Sequence, residues 1–95
     1  MNLTGTVQGI YNIIDRAHIE AIDKKIFITT TELDKVRRWW AGRQGCAIFN
    51  GRVVIHIRGR SDWSHLIDRP ASFRVESQPS FGGRQRIVLV SANVI

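Results

Sequence analysis

The chain has 95 residues, 43% of them hydrophobic, with a formal net charge of +6 and a pI near 10.8. That length supports one core but not two, and the apolar content excludes a wholly disordered tail. A single cysteine excludes an internal disulfide, and no apolar run approaches the length of a membrane span, so the expectation is one soluble, cytoplasmic domain without membrane contact.

Thr4 to Ile14 is rich in β-branched residues and interrupted by Gly5 and Gly9, which predicts a strongly curved first strand with bulges or bends. Ala17 to Ile22 and Lys25 to Thr30 both alternate, and Asp23-Lys24 between them is expected to form a two-residue hairpin loop. That register sets Ala21 opposite Ile26 and Ile19 opposite Ile28, with His18, Glu20, Lys25, Phe27 and Thr29 on the outer face.

Thr31-Glu32-Leu33-Asp34 fits the capping-box pattern loosely and opens a helix expected to end near Arg43, with Gly42 and Gly45 as stop signals. Leu33, Val36 and Trp40 fall on one stripe, Lys35 and Arg38 project oppositely, and Trp39 lies at the border. Asn50-Gly51, between two β-rich runs, predicts a tight hairpin over Cys46 to Arg58, pairing Phe49 with Arg52, Ile48 with Val53, Ala47 with Val54 and Cys46 with Ile55. One hairpin face then carries Cys46, Ile48, Val53, Ile55 and Ile57. The other carries Ala47, Phe49, Arg52, Val54, His56 and Arg58.

Gly59 to Pro70 reads as an irregular connection with one helical turn, its Trp63, Leu66 and Ile67 covering an open end of the core. Ser72 to Glu76 is expected as a strand with Phe73 and Val75 inward, Gln78 to Gly83 as a loop and Arg84 to Val94 as a last long strand. The total is about seven short strands and one helix.

Seven of the fourteen Lys and Arg residues lie between Lys35 and Ser61, together with Trp39 and Trp40 and without any acid. Eleven of the fourteen are Arg, whose planar guanidinium forks phosphates and stacks on rings. Cations that neutralise phosphate beside rings that stack on bases form the footprint of a polyanion surface. The same alternation also describes the solvated side of an amphipathic hairpin, although that reading leaves the missing acids unexplained.

The outer segments resemble a cold-shock domain, a small OB-fold barrel that binds single-stranded RNA and DNA. Thr4-Gly5-Thr6-Val7, Ile10-Tyr11-Asn12, Lys25-Ile26-Phe27-Ile28, ASFRVES and RQRIVLVSANV carry the likeness, over roughly the first thirty and last twenty-five residues. The resemblance implies a mostly β fold, a small OB-like five-stranded Greek-key barrel, here with one helix between strands three and four and an added hairpin at Asn50-Gly51 that widens or extends it. It implies an aromatic platform on strands two and three, of which Phe27 is retained. His18 and Glu20 stand where the second strand should supply Phe, and Thr29 where the third should supply His. A carboxylate within the platform would repel phosphate, so any ligand is expected elsewhere or differently held.

His18, His56 and His65 lie on separate elements without ligand spacing, and no nucleophile elbow accompanies the local serines, so neither a metal, a cofactor nor an enzyme is expected. The first functional reading is non-catalytic binding of nucleic acid, single-stranded by preference. Lys35, Arg37, Arg38, Arg52, His56, Arg58 and Arg60 would contact phosphate, and Phe49, Trp39, Phe27 and Tyr11 would stack. The second reading is a protein-interaction module that docks an acidic partner, or a second copy as a homodimer, through the same surface, with Trp39, Phe49 and Val54 as its apolar anchors.

Overall fold

A computed structural model describes residues 1–14, 22–58 and 63–95, with the backbone alone at 11–14, 22, 23 and 81. The elements are β1 (Asn2–Ile14), β2 (Ile22–Thr29), α1 (Leu33–Trp40), β3 (Ile48–Phe49), β4 (Arg52–Ile57), a 3₁₀ turn (Ser64–Leu66), β5 (Pro70–Pro79), a second 3₁₀ turn (Phe81–Gly83) and β6 (Gln85–Val94).

The strands follow the order β2-β1-β5-β6-β4-β3, and a further β2–β4 pairing closes five of them into an OB-like barrel with β3 as an extra strand. The β4–β6 contact is parallel, through His56 and Val88, and the other barrel pairings are antiparallel. The β2–β4 pairing and the β4–β6 bridge cover edges that an open five-stranded sheet would expose.

β1 is the bent strand its glycines predict. Asn2 to Thr6 pairs with β5, Thr6 to Ile14 pairs with β2, and a bulge separates Val7 from Gly9. Gly5 is required by proximity, because a Cβ there would fall far inside contact distance of the Thr29 carbonyl oxygen and Ile28 Cγ2. Alternation fills the barrel: Leu3, Val7, Ile26, Ile28, Val53, Ile55, Ala71, Phe73, Val75 and Ile87 are all buried.

Several expectations are corrected. Asp23 and Lys24 form no turn; they pair with Ile13 and Asn12 inside a continuous β2. Ile26 is bounded by Ile10 on one side and Ile55 on the other, which leaves no edge for Ala21. The expected strand Ala17 to Ile22 otherwise lies outside the described residues, as do His18 and Glu20. The Asp-Lys pair looks like a turn because both residues are polar, yet cross-strand pairing in a long hairpin arm accommodates them. The strand counted third in the resemblance is therefore the barrel's second strand, and α1 follows that strand instead of standing between strands three and four. The Ser64–Leu66 turn occupies that later connection, with Leu66 buried and Ile67 exposed.

α1 buries Val36 and Trp40 against the barrel and partly covers Leu33 and Trp39, as its stripe predicts. It stops at Trp40, short of Arg43. No side chain caps it in the capping-box manner; Glu32 is the N-cap, and its N–H donates to Thr30 Oγ1 at 3.0 Å. β5 continues through Gln78 to Pro79, where a loop was expected.

Candidate nucleic-acid interface

The Asn50-Gly51 hairpin forms with the predicted register, Phe49 opposite Arg52 and Ile48 opposite Val53. Both turn residues have positive φ, 51° and 73°, the requirement of the tight turn that matches strand twist. The first arm is short. Ala47 is buried and its carbonyl accepts the Val54 N–H at 2.8 Å, while Cys46, expected inward, is exposed. Gln44 accepts the Gln85 N–H, and a Cβ on Gly45 would collide with the Gln85 carbonyl oxygen. The segment from Gln44 to Ala47 thus bridges β4 and β6 through these bonds, and the hairpin adds β3 as an extra strand beside the five that close the barrel.

The register determines what faces outward. Pairing sets Lys25 opposite His56 and Phe27 opposite Val54, so the outer side of β2, β4 and β3 carries Lys25, Phe27, Phe49, Arg52, Val54 and His56 together. Tyr11 pairs with Lys25 on the far side of β2, which places its backbone at the margin of this face. Phe27 and Phe49 stand on strands either side of β4, and strands are about 4.8 Å apart. Their ring centroids are nonetheless only 6.4 Å apart with planes tilted by 49°, so the rings reach toward each other across β4. Val54 lies beneath them at 3% exposure, which removes it as an interaction anchor, whereas Phe49 is 55% exposed.

Arg52 and Arg58, at the two ends of β4, are exposed. Among the described side chains the acids are Glu32 and Asp34 at the start of α1, Asp68 after the first 3₁₀ turn and Glu76 on β5. None stands on the outer side of β2, β3 or β4. Glu20, the carboxylate that the resemblance sets within the platform, lies outside the described residues, and Asp23 on β2 is described by its backbone alone.

The helix contributes less than its composition implies. Lys35 Nζ donates to the Asn2 carbonyl at 2.5 Å and lies 3.4 Å from Glu32 Oε2, and Arg37 Nη1 bonds Asp34 Oδ1 at 3.0 Å. Arg43, beyond the helix end, holds its guanidinium 5.2 Å from the Trp39 ring centroid and donates to the Trp39 carbonyl. One face of Trp39 is therefore occupied by a cation, and its neighbour Trp40 lies 5.5 Å away at 53°. Trp39 belongs to a structural cluster rather than an open stacking surface. Arg38 is exposed, and Arg60 lies outside the described residues.

Glu32 ties the helix start to β1. Its Oε1 accepts the Thr4 N–H at 2.8 Å and the Thr4 hydroxyl at 2.6 Å. These two bonds, with help from Lys35, hold the carboxyl below its ordinary range near 4.5 against a small desolvation effect. The signal in sequence was the Thr-rich run before the helix, read there only as a capping box.

Comparison of the chain with protein-family models, with curated proteins and with solved structures finds no match.

Proposed function

We propose that the outer side of β2, β4 and β3 binds single-stranded nucleic acid without catalysis. The observation that supports this reading most strongly is the joining, on one sheet face, of the Phe27–Phe49 ring pair with Lys25, Arg52 and His56, with no acid there among the described side chains. Rings give a sequence-tolerant stacking surface and the flanking cations neutralise phosphate, so bases and backbone are met at the same place. An exposed phenyl at a hairpin tip suits splayed bases better than a duplex, whose bases are already stacked. Arg58 and Arg38 extend the cationic border.

The protein-docking alternative keeps Phe49 but loses two of its three apolar anchors, since Val54 is covered and Trp39 carries Arg43. Self-association through this face would also set like charges against each other, at a cost in a chain of net charge +6. Fluorescence anisotropy of a labelled single-stranded oligonucleotide across a salt series tests the proposal. Binding that weakens steeply with salt and is lost on Phe49→Ala supports it; no binding at low salt refutes it.

A further inference from the structure

The cations and rings of the outer face are ordered along β4. Arg52, Val54 and His56 alternate onto that side, Arg58 is the exposed residue that follows buried Ile57, and the Phe27–Phe49 pair sits over Val54. Lys25 stands beside His56. From Arg52 to Arg58 the face therefore presents a cation, the two rings, the Lys25–His56 pair and a second cation. Six steps of about 3.3 Å set the ends of this row about 20 Å apart. The direction across the strands is different. The β4–β6 bridge sets Val88 beside His56, and Val88 pairs with Glu76 on β5. The row through His56 thus leads from Lys25 over a covered Val88 to an exposed carboxylate, which repels phosphate.

We infer that a single-stranded nucleic acid lies lengthwise on β4 instead of crossing the strands, with one phosphate at Arg52, a base on Phe49, the next phosphate at Lys25 beside His56 and a last one at Arg58. The inference rests on the reading of this face as a single-strand site and adds the direction and length of the bound segment. Phe49 takes the base because it is the more exposed ring, whereas Phe27 is half-buried and supports it from β2. Nucleotides of a stacked strand rise about 3.4 Å each, so about six cover the 20 Å row, and splaying a base onto Phe49 lets fewer do so. The ligand is a segment of about four to six nucleotides, at the short end of what barrels of this kind occupy. Such an arrangement has a threshold: a ligand too short to reach Arg58 from the ring gains nothing from that guanidinium.

Anisotropy of end-labelled oligothymidylates of two to about twelve nucleotides, bound by the full chain at low salt, tests this. Affinity is expected to climb steeply up to about six nucleotides and slowly beyond, where added length only multiplies the registers. Arg58→Ala is expected to weaken the six-nucleotide ligand at least about threefold and to flatten its salt slope by about 0.7, yet to leave the dinucleotide, held at Arg52 and Phe49, bound as the parent binds it. Glu76→Gln is expected to change the affinity for any length by less than about twofold. Both residues are exposed, so thermal melts are expected to match the parent's. An Arg58→Ala loss that is equal at every length, or absent at all of them, overturns the inference. So does a gain in Glu76→Gln as large as the loss expected of Arg58→Ala, the result for a strand that crosses toward β5. In each of these outcomes the oligonucleotides still bind and the single-strand reading stands, whereas no binding at any length removes both.

Discussion

Phe27 and Phe49 meet across an intervening strand, their ring centroids 6.4 Å apart over a nearly covered Val54. Their tilted arrangement leaves Phe49 more than half exposed, so it contributes little to the core and is free to stack. Phe49→Ala is expected to cost about 1 to 3 kcal/mol of affinity for a single-stranded oligonucleotide. The melting temperature and the salt slope should stay close to the parent's. Anisotropy titrations at several salt concentrations, paired with a thermal melt, check this.

Arg52 pairs with Phe49 across the hairpin and carries no ring function of its own. Arg52→Ala should weaken binding to all sequences alike and flatten the plot of log affinity against log salt by about 0.7, the share of one phosphate contact on a single strand. Arg37→Ala is the control. Its guanidinium is already bonded to Asp34, so the slope is expected to change less.

Gly45 and Gly42 separate steric demand from conformational demand. Both have positive φ, +129° and +81°, but a Cβ at Gly42 meets nothing within 4 Å while one at Gly45 runs into the Gln85 backbone. Gly42→Ala should cost about 1 to 2 kcal/mol, the ordinary penalty for a left-handed L-residue. Gly45→Ala should cost more than about 3 kcal/mol, because it also pushes the bridging segment away from Gln85. Urea unfolding of the two variants gives the comparison directly.

Glu32 supplies a pH signature. Its folded-state carboxyl titrates below its ordinary value, chiefly through the two Thr4 bonds, so its contribution is present in full above the ordinary glutamate range. That contribution is lost as pH falls through the lowered value. The site is well solvated, and about 1 kcal/mol is expected. Glu32→Gln should lose this part of the acid dependence of the melting temperature while behaving almost as the parent does when both are measured in acid.

The Asn50-Gly51 turn, the Val36 and Trp40 stripe and the inward Val53, Ile55 and Ile57 were all legible in the sequence, because each rests on local geometry or a fixed period. Asp23-Lys24 misled because composition alone does not separate a turn from a polar step in a long hairpin arm, and Ile26 between Ile10 and Ile55 settles it only once the barrel closes. The candidate site was half legible. Arg52 and Phe49 followed from the hairpin, but the meeting of Phe49 with Phe27 depends on a non-local β2–β4 pairing that no window of the sequence contains. Val54 and Ala47 were assigned to the solvated face by alternation, which is blind to the rings over Val54 and to the bond that holds Ala47 against β4.

The most direct test of the central claim is the affinity of the parent, Phe49→Ala and Arg52→Ala for one labelled single-stranded oligonucleotide, each measured across a salt series. The interface described predicts salt-sensitive binding by the parent, a loss in Phe49→Ala without change of slope, and a shallower slope in Arg52→Ala. Binding that all three proteins share with one affinity and one slope would contradict it.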